Sequence, residues 1–331
     1  MPQTVKLALL DDYQNMTSKI GDWDRLRKRG VEITVFREPF RSIEDAAAKL
    51  KPFDAFQMLR ERTAFPRALI EKLPNLKCIF MTGARATSLD DKAATERGIP
   101  ISNTPGGGSN APTAELCWAL LMMCARDLAK AERVIRGGGW HDGVKGMVVL
   151  EGKRLGIIGL GKLGSRVAGY AKAFGMDVVA WSQNLTEDKA KAGGARYVSK
   201  DELLKTSDFV SIHLVLSDRT RGLLKADDLA KMKKTAMLIN TSRGPIVEEA
   251  ALIAALKSGT IAHAGLDVYD REPLPAGHPL TKLDNVTLVP HLGYVVEESY
   301  HHFYEGTIKN VEAWLDGKPI NVINPEALKK A

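Results

Sequence analysis

The sequence predicts an α/β protein built from two doubly wound parallel sheets. Three observations predict it. Short apolar runs alternate with helix-period stretches twice, first in residues 1–103 and again in 152–293. Two glycine-rich breaks, at 105–110 and 137–140, separate the two series. The 331 residues also exceed one ordinary domain, so two is the natural count.

The first series has strand-like runs at 5–10, 31–36, 53–59 and 76–81. Helical stretches lie around 19–28, 42–50, 66–72 and 88–97. This rhythm implies a parallel sheet covered on both faces, without a glycine fingerprint of its own. Residues 111–125 follow as an almost uncharged helix pattern, expected to be buried and to lie between the domains. The second series has strand candidates at 154–159, 177–181, 208–214, 236–241, 262–268 and 285–290. Its helix candidates are 162–174, 200–205, 226–233 and 247–258. An amphipathic helix is expected over 295–316, and the sequence then trails off in GKPINVINPEALKK.

The second series opens on RLGIIGLGKLG. An apolar run leads into Gly159-x-Gly161-x-x-Gly164, a helix pattern follows, and then the apolar run 178–181. Strand, glycine turn, helix, strand is the context of a dinucleotide-binding fingerprint, and makes this a Rossmann-like domain. The first glycine permits the turn, the second lets the backbone approach a pyrophosphate, and the third lets helix and strand pack closely. The helix N-terminus offers N–H groups and partial positive charge to that pyrophosphate. The alternative is a merely tight strand–helix turn.

Charge and composition narrow the class. Hydrophobic residues make up 44% and charged residues 26%, as in a globular soluble chain. The net charge of +7 is scattered among acids, which fits a solvated surface that attracts anions better than a nucleic-acid groove. Cys78, Cys117 and Cys124 stand in apolar contexts without metal spacing and read as reduced core residues of a cytoplasmic protein. No signal peptide and no bilayer-spanning run is legible, and the histidine spacings, His301-His302 included, fit no metal site.

In an open α/β sheet, ligands sit beyond the carboxyl ends of the strands. Three polar clusters fall there: Asn240-Thr241-Ser242-Arg243-Gly244, Asp267 to Pro273, and Pro290-His291-Leu292-Gly293. An arginine offers a bidentate fork to a carboxylate. A histidine moves a proton near neutrality, and a carboxylate beside it favours the protonated ring. Each has a bland alternative: Arg243 as a surface ion pair, Glu272 as a loop acid, His291 as a structural histidine.

These stretches carry a resemblance. GKRLGIIGLGKLG (152–164), INTSRGPIVEEAAL (239–252), AGLDVYDREPLP (264–275) and VPHLGY (289–294) resemble, in order and spacing, the D-isomer-specific 2-hydroxyacid dehydrogenases. That family includes phosphoglycerate, glycerate and D-lactate dehydrogenases and glyoxylate/hydroxypyruvate reductases. The resemblance covers roughly residues 50–320. It implies a Rossmann-type nucleotide domain, 104–295, inserted into a flavodoxin-like substrate domain, 1–103 plus 296–331, with the active site in the cleft and the helix at 111–126 as one crossing. It implies catalytic roles for Arg243, gripping the substrate carboxylate and keto oxygen, His291, the acid/base, and Glu272, which raises the histidine pKa. Glutamate at 272 argues against formate dehydrogenase, a relative with glutamine there. Gly159, Gly161, Lys162, Leu163, Gly164, Ser182, His213, Val215, Thr241 and Asp267 are implied to contact the cofactor, Asp267 at the carboxamide of the nicotinamide.

Three positions depart from the family pattern. Trp181-Ser182-Gln183-Asn184 offers neither an acid for the adenosine ribose nor an immediate arginine for a 2′-phosphate, leaving NAD(H) against NADP(H) open with a lean to NAD. Thr82-Gly83-Ala84-Arg85 stands where a glycine-rich substrate loop is usual, so Gly83, Ala84 and Arg85, with Arg60, are candidate substrate contacts. Tyr294 follows His-Leu-Gly where a small residue is common. The expected function is hydride transfer between NAD(P)H and a small 2-keto acid or D-2-hydroxy acid, of glyoxylate, hydroxypyruvate or phosphoglycerate type. The resemblance also implies a homodimer. The rival reading is an NAD(H)-sensing protein of the corepressor type. Nucleic-acid binding rests on composition alone.

Overall fold

A computed structural model describes residues 4–104, 110–144 and 147–329. The first glycine-rich break, apart from Asn110, lies outside the described residues. The chain forms two units, 1–108 with 295–331, and 109–294.

In the first unit, β1 (Val5–Leu9) lies between β2 (Val31–Val35) and β3 (Ala55–Met58), and β4 (Cys78–Met81) and β5 (Ile101–Asn103) continue the sheet. Among the described residues the order is β2-β1-β3-β4-β5 with every pairing parallel, the flavodoxin arrangement. β3 and β4 are buried at every residue, because helices cover both faces. The helix Ile43–Leu50 starts where the Ser42 hydroxyl accepts the Asp45 N–H, and it buries Ala46, Ala47 and Leu50.

The helix Glu297–Leu315 also belongs to this unit. Tyr300, Phe303, Tyr304, Thr307, Ile308 and Val311 make its buried stripe at helical spacing. Tyr304 meets Trp23 edge-on with ring centres 5.2 Å apart, and Trp314 meets Phe80 at 5.9 Å. The segment after this helix does not trail off as the sequence suggests. Val322 bridges Ser102 in antiparallel fashion, Ile323 N–H donates to Ile101 O, and the Asn324 side chain accepts Ile101 N–H at 2.7 Å. A polar asparagine satisfies the open edge of β5 here.

In the second unit the strands are β6 (Arg154–Ile158), β7 (Asp177–Trp181), β8 (Arg196–Tyr197), β9 (Phe209–Ile212), β10 (Met237–Asn240), β11 (His263–Leu266) and β12 (Val286–Leu288). The parallel sheet runs β12-β11-β10-β9-β6-β7-β8, the Rossmann order with one strand added. The helix Ala111–Ala125, charged only at Glu115, buries Ala114, Cys117, Leu120, Leu121 and Cys124 in the core of this unit, with Leu155, Ile157, Val167 and Ile239. Packing inside this unit accounts for its apolar character.

β5, β8 and the helices Leu128–Arg136 and Glu187–Ala192 went unread in the sequence. β5 is three residues with two polar ones, β8 is an exposed two-residue edge, and the two helices are short and polar. β5, β8 and Glu187–Ala192 carry too little apolar periodicity to stand out, whereas Leu128–Arg136 has Leu128, Ala131, Val134 and Ile135 at helical spacing and was legible. Among the described residues no helix is long and apolar enough to cross a membrane.

Candidate active site

The glycine turn after β6 is built as its spacing demands. Gly159 has φ +98°, and a Cβ there would stand 2.6 Å from the His213 carbonyl oxygen. A Cβ on Gly164 would strike the Gly159 carbonyl. Gly161 differs from both. Its backbone is extended, and a Cβ there would meet nothing within 4 Å. The fold does not require glycine at 161, and the open space lies at the N-terminus of the twelve-residue helix Lys162–Ala173, which no side chain caps. Lys162, Leu163 and Gly164 form its first turn. These N–H groups and this unfilled space fit a pyrophosphate.

Other candidate cofactor contacts lie at the same edge of this sheet. Ser182 follows β7, His213 and Val215 follow β9, and Thr241 follows β10. The strand expected over 208–214 ends at Ile212, so His213 and Val215 lie in the loop, and Val215 is 81% exposed. The His213 Nε2 bonds Ser211 Oγ at 2.9 Å, and burial pushes its pKa down to about 3, which keeps the ring neutral.

Three strand-end loops hold the candidate catalytic side chains. After β10, the Asn240 side chain accepts the Ser242 N–H and donates to the Arg243 carbonyl, an Asx-type turn that fixes the arginine's backbone. The Arg243 Nη1 donates to the Ser242 carbonyl at 2.7 Å. After β11, Glu272 Oε1 accepts the Tyr269 N–H at 3.1 Å. After β12, His291 Nδ1 meets Glu272 Oε2 at 2.6 Å. Both side chains are mostly enclosed, with 18% and 26% of their surface exposed. A contact this short between carboxylate and imidazole fixes the ring orientation and favours its protonated form.

His291 sits at φ +53°, which a non-glycine residue holds only when its surroundings enforce it. Asp267 supplies part of that enforcement. Expected as a cofactor contact, it is fully buried, and its two carboxylate oxygens accept the Leu292 and Gly293 N–H groups. Gly244, next to Arg243, lies so close to the Tyr269 backbone that a Cβ would collide with it. The loop after β11 thus touches both of the others. Asn240 and Tyr269 stood in the polar clusters of the sequence without a role of their own. An asparagine at a strand end was the available signal for the first.

The substrate candidates Gly83, Ala84, Arg85 and Arg60 belong to the first unit, at the carboxyl edge of its own sheet. Gly83 has φ +87° and donates its N–H to Thr104 Oγ1 at 2.8 Å. The Arg60 guanidinium lies directly over Gly83, where a Cβ would stand. Arg60 N–H donates to Thr82 Oγ1, while Ala84 and Arg85 are exposed. Among the described residues no group of three or more His, Cys, Asp or Glu side chains could hold a metal ion.

Comparison with known proteins then decides the family. Residues 118–293 match the NAD binding domain of the D-isomer specific 2-hydroxyacid dehydrogenases. The chain belongs to that family. It is 41% identical over 269 residues to a glyoxylate reductase of Aeropyrum pernix, covering 79% of this chain and 80% of that one. It is 31% identical over 326 residues to a hydroxypyruvate reductase of Blautia hydrogenotrophica, covering 97% and 100%. A crystal structure of a phosphoglycerate oxidoreductase from Vibrio cholerae superposes with a TM-score of 0.89 at 35% identity, covering 95% of this chain and 99% of that one. As a D-2-hydroxyacid dehydrogenase the protein is an oxidoreductase acting on a CH–OH group, using a nicotinamide dinucleotide.

Proposed function

We propose that this chain reduces a small 2-keto acid of glyoxylate or hydroxypyruvate type to the D-2-hydroxy acid, with Arg243, Glu272 and His291 as the catalytic residues. The observation that carries the reading is the 2.6 Å contact of His291 Nδ1 with Glu272 Oε2 at the strand ends of the dinucleotide sheet. A dinucleotide held at the glycine turn would supply a hydride for C2 of the keto acid. Glu272 Oε2 accepts the hydrogen bond from Nδ1–H, which leaves Nε2 as the nitrogen that exchanges a proton. As the C=O π bond opens onto oxygen, His291 delivers the Nε2 proton there, and in the reverse direction takes it back. A positioned general acid of this kind contributes about 10²–10⁴-fold. Arg243 presents its guanidinium to the substrate carboxylate and keto oxygen, holding C2 in place and countering charge as it grows on oxygen. Within the first unit, Gly83, Ala84, Arg85 and Arg60 are proposed as substrate contacts.

NAD(H) is the proposed cofactor in preference to NADP(H). No arginine follows β7 at Ser182-Gln183-Asn184 to receive a 2′-phosphate. A homodimer is proposed through the second unit. The helix Leu128–Arg136 has no buried residue, and Leu128, Ile135, Trp140, Met147 and Val149 expose 46–75% of their surface over one stretch. A cytoplasmic place fits three buried free cysteines. The test is oxidation of NADH and NADPH, followed at 340 nm, against glyoxylate, hydroxypyruvate, pyruvate, phenylpyruvate and 3-phosphohydroxypyruvate. Turnover of glyoxylate or hydroxypyruvate with NADH is expected. Dinucleotide binding with silence across the panel would favour the sensor reading instead.

A further inference from the structure

We infer that Tyr269 is a positioning residue for the acid–base pair: it ties together the loops that carry Glu272 and His291 and holds His291 in its left-handed backbone conformation. This rests on the reading of that pair as the catalytic acid and base.

Tyr269 is buried and makes two separate contacts. Its backbone N–H donates to Glu272 Oε1 at 3.1 Å, which leaves Oε2 as the oxygen on His291 Nδ1. Its hydroxyl donates to the Val289 carbonyl at 2.9 Å, with the Leu266 carbonyl at 3.3 Å. Val289 stands two residues before His291, and its carbonyl also accepts the His291 N–H at 3.1 Å. Asp267 takes the N–H groups of the two residues after His291. The histidine is therefore held from both sides along the chain, by a phenol before it and a carboxylate behind it. Burial, with the Asp267 and Glu272 charges nearby, pushes the phenol pKa up, so the hydroxyl stays a donor at every working pH.

This arrangement answers a mechanical need. A histidine at φ +53° persists only where neighbouring bonds over-determine it. One residue that orients the carboxylate through its backbone and the imidazole loop through its side chain makes their relative placement a single rigid dimension. The Gly244 backbone packs on the same Tyr269 peptide, so the arginine loop shares the fixed point.

Tyr269→Phe keeps the ring and the backbone N–H and removes only the hydroxyl. The expected result is a kcat about tenfold lower, with the keto-acid KM and the NADH Kd each within about twofold. In the protein without dinucleotide, the downfield proton NMR signal of the His291 Nδ1–Glu272 bond should broaden or shift upfield. An unchanged kcat with an unchanged His291 signal overturns the proposal. So does a lower kcat with the signal unmoved, which would mark a general loss of stability. His291→Ala, assayed alongside, separates the two readings. If it turns over at the wild-type rate the acid–base assignment falls, whereas the NMR comparison still reports on the clamp.

Discussion

The two sheets share one winding pattern and differ at the first turn. β1 sits between the second and third strands of its sheet, as β6 sits between β7 and β9. After β6 come glycines and an uncapped helix N-terminus, with nothing filling the space above Gly161. After β1 come Asp11 and Asp12. Asp12 accepts the Met16 and Thr17 N–H groups, at 2.7 and 3.1 Å, and so takes up the turn's own donors. Asp11 stands at φ +63° with its carboxyl buried. A phosphate would meet N–H groups at one turn and carboxylates at the other. Topology makes a crevice at the strand ends, and the residues of the first turn decide what it can hold.

Substitutions can sharpen or break that contrast. Apart from the acid–base histidine itself, the largest effect is expected at Arg243, in the loop that follows β10. Arg243→Ala should lower kcat/KM for the keto acid by on the order of 10²–10³-fold, as loss of a preorganised charge does, with NADH affinity nearly unchanged in a fluorescence titration.

The two glycines that flank the helix start should fail in opposite ways. Gly164→Ala pushes a methyl group into the Gly159 carbonyl and should cost about 1–3 kcal/mol in urea unfolding. Gly161→Ala touches nothing in the fold and should leave the unfolding midpoint alone, while weakening NADH binding by about tenfold or more. A destabilised Gly161→Ala that still binds NADH tightly would break the comparison.

The smallest effect belongs to Asp11. Burial raises its carboxyl from 3.8 to about 6, against weaker lowering by Thr63, Tyr13 and Arg62. The folded state then holds this proton more tightly than the unfolded chain, so between about pH 4 and 6 this group makes stability fall as pH rises, and above pH 6 the cost is complete. Asp11→Asn should raise the thermal midpoint by about 2–4 °C at pH 7 and give no gain at pH 4. An equal gain at both pH values would contradict the assignment.

What could be read in the sequence was what is local. The glycine triplet lies within one strand–turn–helix unit, and Arg243, Glu272 and His291 stand three to six residues beyond the end of an apolar strand, so periodicity set their loops at one edge. Alternation gave both sheets for the same reason. The supports could not be read that way. Tyr269 matters because its hydroxyl reaches Val289, twenty residues on, and Asp267 because its carboxylate reaches Leu292 and Gly293. Such contacts exist only once β11 and β12 are paired. β5 and the segment at 321–324 were unreadable for a related reason, since each is too short to declare itself without the other.

The central claim is that His291, set by Glu272, delivers the proton while the glycine turn holds the dinucleotide. Single-turnover reduction of the keto acid by His291→Ala preloaded with NADH tests it most directly. The expected result is normal NADH binding and a hydride-transfer rate lower by about 10²–10⁴-fold. Wild-type transfer in that variant would contradict the account.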